Sequence, residues 1–259
     1  MKIGILSDIH EDGIRLGEVL AAMEKRGVDA IACLGDVVGF DVLHYRHLST
    51  RDASYCLDMV RRNCRWVVAG NHDLFAIRKL PEVNGCFAFP VDWYQLDFQE
   101  RKRLAEDRVW LFENQELPAL LSAKDRDYLE SLPLSLAVDL DGTKVFFSHA
   151  LFPDLSGTLT WRPKNPWDFQ RHFGLLKAQG CRLGICGHLH PDGIASAVAG
   201  SFVFSRFRTY RVSPDLVQYV CPSTAGTTGK SGFLVLDAAG QTLEAAAVRS
   251  GRARAVRFR

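Results

Sequence analysis

Five short polar motifs, each placed directly after an apolar run, constrain this chain more than any other feature. They are Asp8-Ile9-His10, Gly35-Asp36, Gly70-Asn71-His72-Asp73, Ser148-His149 and Gly187-His188-Leu189-His190. Short apolar runs bounded by polar turns are typical of buried strands. Ligands of parallel sheets bind at the carboxyl ends of the strands. The sequence therefore predicts that strand ends bring Asp, Asn and His side chains to one place.

The first third of the chain alternates between strand and helix patterns. Apolar runs at 3–6, 30–34 and 66–69 are separated by 14–25 and 55–62, where apolar residues recur at helical spacing. This alternation predicts a parallel sheet with right-handed crossovers. Further strands are predicted at 134–140, 144–147, 182–186, 201–212, 217–221, 233–236 and 242–248. We expect one α/β domain over 1–259, with two packed mixed sheets and helices outside.

Two segments lie outside this pattern. Residues 74–132 carry no motif and are largely helical in pattern, with Ser122 as a helix N-cap, so we predict a helical insert that could cap the site. The tail 249–259 contains five arginines, Arg249, Arg252, Arg254, Arg257 and Arg259. It is predicted to be a solvated basic tail. Nucleic-acid binding through so short a tail is left open but is not favoured.

Composition and charge limit the compartment and the partners. The formal charge of +2 does not predict a broad basic surface for nucleic acid. The seven cysteines are odd in number and contain no Cys-x-x-Cys pair, which indicates a reducing compartment. A predicted strand at 2–7 leaves no room for a signal peptide, and no apolar run approaches the ~20 residues that span a bilayer. We therefore expect a cytoplasmic protein without a membrane partner, of undetermined oligomeric state.

The motif side chains have the chemistry of metal ligands. Divalent metals such as Mn, Fe, Ni and Zn take carboxylate and imidazole together. Asp8 and His10 can converge on one ion, and the two oxygens of Asp36 can bridge two ions. The candidate metal ligands are Asp8, His10, Asp36, Asn71, His149, His188 and His190. The expected cofactor is therefore a pair of divalent metal ions.

A metal pair at this site predicts phosphate chemistry. Two metals roughly 3.5–4 Å apart lower the pKa of a shared water and clamp a phosphate for in-line attack. His72, beside the candidate ligand Asn71, is predicted to be the general acid for the leaving alcohol. Asp73 is the nearest carboxylate in sequence, and we predict that it holds the pKa of His72 near neutrality.

The segment 161–167 follows a metal motif, so it is a candidate substrate contact. Arg162 can bind a phosphate and Trp161 can stack on a base or sugar. A packed loop with anchoring tryptophans explains the same residues equally well. His44 and His47 are predicted to lie on a surface helix or loop, with a role at the substrate rim left open.

The order D-x-H, GD, GNHD, H and GHxH resembles the calcineurin-like metallophosphoesterase family. The stretch 34–39 is similar to its small bacterial branch, and the resemblance spans roughly 1–236. It implies a four-layer α/β/β/α sandwich and metal-dependent hydrolysis of phosphate esters by a metal-bridging hydroxide. It also implies one metal on Asp8, His10, Asp36 and His190, a second on Asp36, Asn71, His149 and His188, and His72 as the catalytic histidine.

The chain departs from the family pattern at three places. Ala150 replaces a usual glycine, and Cys221 and Ser223 replace Asn and Gly. Members with Gly-Asp-x-x-Asp-Arg carry an Asp that orients the histidine acid and an Arg that binds phosphate, but here those positions are Gly39 and Phe40. The resemblance therefore argues against a protein-phosphatase-like member.

The predicted function is a dinuclear metal-dependent phosphoesterase. Its expected substrates are small or nucleotide-type phosphate esters, with phosphodiesters favoured over phosphomonoesters. A phosphomonoesterase, a nuclease of the same fold and a metal-bound non-catalytic scaffold remain as alternatives.

Overall fold

The computed structural model describes residues 1–226 and 230–248. The strands are β1 (Lys2–Leu6), β2 (Ala30–Cys33), β3 (Phe40–Asp41), β4 (Trp66–Val67), β5 (Glu116–Leu117), β6 (Ser135–Leu140), β7 (Thr143–Ser148), β8 (Leu183–Cys186), β9 (Ile194–Val198), β10 (Ser201–Ser205), β11 (Thr209–Arg211), β12 (Val217–Val220), β13 (Gly232–Asp237) and β14 (Thr242–Ala247). The α-helices are α1 (Gly13–Glu24), α2 (Ala53–Asn63), α3 (Asn71–Ala76), α4 (Phe98–Ala105), α5 (Ala123–Ser131) and α6 (Gln170–Ala178). None of the helices in the described part of the chain is long and apolar enough to cross a membrane.

Two six-stranded sheets form the body of the domain. The first has the order β11-β14-β13-β1-β2-β4, and the second has the order β10-β9-β12-β8-β7-β6. In the first sheet β1, β2 and β4 are parallel, while β13 pairs with β1 in the antiparallel sense. In the second sheet β7, β8 and β12 are parallel, with antiparallel partners on both sides. The prediction of two mixed sheets with flanking helices is confirmed.

Side-chain alternation along the strands creates the layers. In β1, Ile3 and Ile5 point into the core between the two sheets, whereas Leu6 faces the helix layer formed largely by α1 and α2. In β7, Val145 and Phe147 enter the same central core, and Phe146 packs on the layer that contains α6. Because successive side chains of a strand point to opposite faces, each central strand is buried on both sides.

The topology places all five motifs at one edge of the molecule. The parallel strands β1, β2 and β4 end next to one another, and so do β7 and β8 in the facing sheet. Each of these strands is followed within a few residues by one motif. The parallel segments of the two sheets therefore bring the ten polar side chains of the motifs to one rim, and of these only Ser148, the last residue of β7, lies in a strand.

The prediction that 74–132 is largely helical is wrong for much of the segment. Only α4, α5 and the end of α3 are helical there, and β5 is a short strand. Most of the remaining chain is irregular and folds around its own apolar cluster, which contains Phe87, Trp93 and Val109. Pro81, Pro90 and Pro118 interrupt the segment, and proline removes a backbone donor that a helix interior needs. The predicted cap at Ser122 is present: its side chain accepts from the backbone N–H of Asp125.

The single strand predicted at 201–212 is two strands in different sheets. β10 is an edge strand of the second sheet, and β11 is an edge strand of the first. Residues 206–208 carry the chain across the edge of the sandwich. Apolar periodicity continues through this crossing because Phe207 packs against the central core, so the sequence pattern contains no break. The basic tail 249–259 lies outside the described residues.

A two-stranded ribbon lies beside the sheets and contributes residues to the candidate site. β3 and β5 pair in the antiparallel sense, with Asp41 opposite Glu116 and Phe40 opposite Leu117. The backbone N–H of Val42 extends this pairing by donating to the carbonyl of Gln115 at 2.9 Å. The ribbon attaches the irregular segment 106–122 to the loop that follows the Gly35-Asp36 motif.

One buried histidine belongs to the core rather than to the site. His172 on α6 is fully buried, its Nδ1 accepts from the Phe152 N–H at 3.0 Å, and its Nε2 lies 2.8 Å from Gln218 Oε1. An amide oxygen accepts and a backbone N–H donates, so this pair of contacts requires the neutral ring. Burial lowers the pKa of His172 to about 4.

We predict that His172 makes the fold less stable in mild acid. Between an unfolded pKa of about 6.5 and the folded value of about 4, the unfolded chain binds one more proton than the folded chain, so stability falls as the pH falls. The slope is about 1.4 kcal/mol per pH unit from this group. Urea unfolding at pH 7 and pH 5 should show a smaller difference for His172→Leu than for the unmodified chain. Between pH 7.5 and 8.5, above both pKa values of His172, the two proteins should show the same dependence of stability on pH.

Candidate metal centre

Five of the seven candidate ligands have a left-handed backbone conformation. The ligand residues with positive φ are Asp8 (56°), His10 (46°), Asp36 (52°), His188 (66°) and His190 (47°). Such conformations cost non-glycine residues roughly 1–3 kcal/mol each and persist only where the surroundings enforce them. Here the carbonyl of Asp36 accepts the N–H groups of Ile9 at 2.8 Å and His10 at 3.0 Å, which locks the first two motif loops together.

Asp36 lies at the centre of the site. Its Oδ2 is 3.1 Å from Nε2 of His149 and 3.9 Å from Nε2 of His10. Its Oδ1 accepts the backbone N–H of His72 at 2.9 Å. This approach depends on Gly70, where an added Cβ would lie 2.2 Å from Asp36 Oδ1. The carboxylate therefore faces histidines of two different loops, which is the arrangement expected of a bridging ligand.

Side chains from the motifs form three overlapping groups in the described part of the chain. One contains Asp8, His10 and His190, another contains Asp36, His149 and His188, and the third contains His10, Asp36 and His72. Within each group the potential ligand atoms all lie within 4.8 Å of one another. The first two groups match the division into two metals that the family resemblance implies.

The ring orientation of two histidines is set by backbone carbonyls. Nδ1 of His10 lies 2.8 Å from the carbonyl of Gly39, and Nδ1 of His149 lies 2.7 Å from the carbonyl of Leu34. A carbonyl can only accept, so in both rings Nδ1 carries the hydrogen and the neutral ring presents a bare Nε2 lone pair to the site. Histidines that bind metals are commonly held in this way.

The unpartnered atoms at the site fit divalent metals. Within residues 1–226 and 230–248, the buried Nε2 atoms of His10, His149 and His188 and the Oδ1 atom of Asn71 make no hydrogen bond. Buried polar atoms almost always have a partner. Imidazole nitrogens and carboxylate and amide oxygens that converge without hydrogens between them are a donor set for a cation. The residues therefore fit the metal pair that the family implies.

Electrostatics point to the same need for positive charge. Burial lowers the pKa of His149, but Asp36 raises it more strongly, to about 10. Burial lowers the pKa of His10 and of His188 to about 3. Asp8 has a pKa held below its usual range by His190 and His149 in spite of its burial. The two carboxylates thus concentrate negative charge beside the imidazoles, which a proton on His149 balances and which a metal cation would balance in its place.

The loop after β12 donates hydrogen bonds to the backbone of Ser7 and Asp8. The Ser223 hydroxyl donates to the Asp8 carbonyl at 3.0 Å, and the Ala225 N–H donates to the same oxygen at 2.9 Å. The Thr224 N–H donates to the carbonyl of Ser7 at 2.8 Å. The Ser that replaces the family's usual glycine is therefore a structural contact of the Asp8 loop.

The prediction that Asp73 is the carboxylate partner of His72 is wrong. Nδ1 of His72 lies 2.5 Å from Oε2 of Glu116, which comes from β5, 44 residues further along the chain. Asp73 instead accepts backbone N–H groups of Asp36, Val37 and Val38, at 2.8, 2.9 and 3.1 Å. It turns back towards that loop because it lies in the first turn of α3. Its role is to shape the Asp36 loop.

The environment of His72 favours its protonated form in the metal-free protein. Burial lowers the pKa of His72, but the carboxylates of Glu116 and Asp36 raise it by more, so that the pKa is about 9. A metal on Asp36 would offset that carboxylate's charge. Glu116 would then be the remaining carboxylate in contact with the ring.

A pocket of about 270 Å³ opens over these residues. Its floor is formed by motif residues, and its walls come from the loop after β3, from the segment 110–115 and from Arg162. The lining residues are Asp36, Asp41, Leu43, His44, Tyr45, Asn71, His72, Trp110, Phe112, Gln115, Arg162, His188 and His190. Part of the insert thus forms one wall of the pocket.

The two predicted substrate contacts separate in the structure. Arg162 lines this pocket, with its guanidinium 6.0 Å from the ring centre of Trp110. Trp161 lines a different, smaller cavity behind His188. His44 lies at the pocket rim with its side chain 63% exposed. The prediction of a surface position is wrong for His47, which is buried with Nε2 2.9 Å from the carbonyl of His10.

Sequence reasoning missed the residues that approach the site from outside the motifs. Tyr45 stacks on His10 with ring centres 4.7 Å apart, and Phe112 packs on His72 at 4.4 Å. Glu116 was also missed, whereas Trp110 and Phe112 belong to the insert that was predicted to be able to cap the site. Each lies in a stretch without any motif, and only strand pairing or loop packing brings it to the site. An aromatic or acidic residue in an irregular segment carries no signal of such a position.

Comparisons with known proteins identify the family and the fold of this chain. The Calcineurin-like phosphoesterase superfamily domain matches residues 1–204. An uncharacterised protein of Methanocaldococcus jannaschii is 30% identical over 165 residues, which cover 59% of this chain. The match spans about half of that relative's length, 54%.

Two solved structures share the fold over almost the whole chain. A metallophosphoesterase from Sphaerobacter thermophilus has a TM-score of 0.64 at 21% identity, covering 97% of this chain and 89% of that one. A hypothetical protein from Pyrococcus horikoshii OT3 has a TM-score of 0.60 at 13% identity, covering 95% and 87%.

We predict that Asp36→Asn abolishes the stabilisation of the protein by metal. Adding Mn²⁺ to metal-free protein should raise its melting temperature, because a ligand that binds only the folded state stabilises it. The variant lacks the charge that faces both histidine groups and should show little or no shift, with less metal retained after dialysis. Asp41→Asn, a pocket carboxylate outside the three groups, is the matched control. An equal shift in both variants would contradict a metal centre at Asp36.

Proposed function

Because this chain belongs to the calcineurin-like phosphoesterase superfamily, we propose that it is a dinuclear metal-dependent phosphoesterase. The observation that carries this proposal is the set of buried, unpartnered Nε2 atoms of His10, His149 and His188 around two carboxylates. One metal would be held by Asp8, His10, Asp36 and His190, and the other by Asp36, Asn71, His149 and His188. When bound, the pair supplies the positive charge that acidifies an attacking water and offsets charge on the phosphate.

The chain's own residues supply orientation and proton transfer. His72 lines the pocket, and its Nδ1 is engaged by Glu116, so Nε2 is the ring nitrogen available to a bound ester. We assign it the role of general acid, which gives a proton to the leaving oxygen. Gly39 makes the ring's position possible, because an added Cβ there would lie 2.5 Å from the Cβ of His72.

The pocket favours a small substrate over a polymer. A bounded cavity of about 270 Å³ holds a phosphate and one modest organic group. A nuclease needs a basic groove that follows the phosphate backbone. Among the described residues that line the pocket, Arg162 is the only arginine and there is no lysine.

The charge of the lining also favours diesters. A phosphodiester carries one negative charge and a monoester about two at neutral pH. One arginine beyond the metal ligands matches the singly charged group better. The Trp110 and Phe112 rings on the wall provide flat apolar surface of the kind on which a base or sugar packs. We therefore propose small or nucleotide-type phosphodiesters as the substrate class.

We predict that the metal-loaded protein hydrolyses bis-p-nitrophenyl phosphate faster than p-nitrophenyl phosphate, judged by kcat/KM. Chelator should abolish both activities, and added Mn²⁺ should restore them. Asp36→Asn should be inactive on both esters and serves as the control for a contaminating phosphatase. Faster turnover of the monoester would contradict the diester preference. No turnover of either ester by protein with bound metal would favour the non-catalytic scaffold.

We predict that Arg162→Ala weakens substrate binding more than it slows the chemistry. Loss of one charged contact to the phosphate should raise KM roughly tenfold, which corresponds to about 1.4 kcal/mol. The reduction in kcat should be smaller. Arg171→Ala, which removes an arginine that stacks on Phe152 away from this pocket, is the matched control. A fall in kcat at constant KM would contradict a binding role for Arg162.

A further inference from the structure

The carboxylate of Glu116 is buried against His72 although it comes from a segment without any family motif. Its side chain is 3% exposed, and Oε2 lies 2.5 Å from Nδ1 of His72. Burial of a carboxylate is costly unless a positive or donating group meets it. The free-energy cost of burying this carboxylate must therefore be offset by a gain in folding stability or in catalysis.

The antiparallel ribbon of β3 and β5 positions this carboxylate beside His72. β3 follows the Asp36 loop directly, and its Asp41 is paired with Glu116 of β5. The register pairs Glu116 with Asp41, two residues after Gly39, which itself lies against the His72 ring. Because β3 is anchored by the loop after β2, the position of the Glu116 backbone is tied to that of Asp36.

The His72 ring is held on several sides at once. Gly39 lies against it, Phe112 packs on it with ring centres 4.4 Å apart, and His10 meets its edge at 4.9 Å. Glu116 completes this environment by accepting a hydrogen bond from the Nδ1–H group. A carboxylate that accepts from one ring nitrogen fixes both the tautomer and the rotation of the ring, so the other nitrogen has a defined direction.

We propose that Glu116 is a positioning residue for phosphate-ester hydrolysis, holding the His72 ring with Nε2 directed at the leaving-group oxygen. This inference rests on the proposed function. The acidic position of the family loop is Gly39 in this chain, and the insert strand β5 supplies the carboxylate from a different direction. The insert is then part of the reaction machinery as well as a wall of the pocket.

The assignment defines where each atom goes in the reaction. The oxygen of water forms a bond to phosphorus, and the bond from phosphorus to the leaving oxygen breaks. The leaving oxygen takes the proton from Nε2 of His72 and departs as an alcohol. The proton released by the water returns the ring to its starting state. The hydrogen on Nδ1 stays there throughout and remains hydrogen-bonded to Glu116.

The test compares Glu116→Ala, His72→Ala and the double variant on aryl methyl phosphates whose leaving groups range from p-nitrophenol to phenol. Glu116→Ala should lower kcat for the phenyl ester about 10- to 100-fold, the range typical of carboxylates behind a functional histidine. The loss should be much smaller for the nitrophenyl ester, which needs little proton donation. KM and metal content should stay unchanged. The double variant should be no slower than His72→Ala, because Glu116 acts through that ring.

Two further variants separate positioning from folding. Glu116→Gln keeps an acceptor for Nδ1–H and should lose less activity than Glu116→Ala. Glu113→Gln removes a carboxylate of the same segment that pairs with Arg101 and should leave the leaving-group dependence unchanged. In ¹⁵N NMR of the Zn²⁺-loaded protein, at a pH where the His72 ring is neutral, the Nδ1–H tautomer should be present in the unmodified chain and depleted in Glu116→Ala.

The possible outcomes distinguish this inference from the proposed function. Equal slowing of both esters by Glu116→Ala, an additive double variant or an unchanged His72 tautomer would overturn the positioning role while the hydrolytic function stands. Absence of turnover by the metal-loaded unmodified chain on every ester would overturn both. A leaving-group-dependent, non-additive loss with a changed tautomer would support the inference.

Discussion

The site depends on one interaction: the buried Asp36 carboxylate faces the Nε2 atom of His149. Oδ2 of Asp36 lies 3.1 Å from this Nε2, and the Nδ1 hydrogen of His149 is already engaged by the carbonyl of Leu34. In the metal-free protein a proton on Nε2 balances the carboxylate, which is why, in spite of burial, Asp36 raises the pKa of His149 to about 10. A metal ion would take the place of that proton and satisfy both atoms. The remainder of the centre is built to preserve this arrangement.

The surrounding fold makes that arrangement rigid. Parallel strands of two facing sheets end at the same rim, and the loops after β1 and β2 are bonded to each other through the Asp36 carbonyl. Asp73 accepts three successive N–H groups of the Asp36 loop, and Ser223 holds the carbonyl of Asp8. The left-handed ligand residues are therefore held by backbone contacts on several sides. A preformed site of this kind orders its ligands before any ion binds.

The irregular insert adds to the site what the motifs lack. Its own apolar cluster gives it a fixed shape without regular secondary structure, and the β3–β5 ribbon attaches it beside the Asp36 loop. From this position Phe112 packs on His72, Trp110 lines the pocket and Glu116 meets Nδ1 of the ring. The motif loops supply the candidate metal ligands, whereas the insert supplies one wall of the pocket and the environment of His72.

The sequence by itself determined the parallel strands, the polar rim at their ends and the set of candidate metal ligands. It did so because strand periodicity is local and because each ligand follows its strand within a few residues, as Asp8 follows β1 and His149 follows β7. Sequence neighbours also misled: Asp73 adjoins His72, yet the geometry of a helix's first turn directs it to the Asp36 loop. Only the tertiary structure decided that Glu116 is the partner of His72, that His47 is buried and that Arg162 but not Trp161 reaches the pocket. Strand pairing and loop packing between distant segments have no local pattern, so these contacts exist only once the chain has folded.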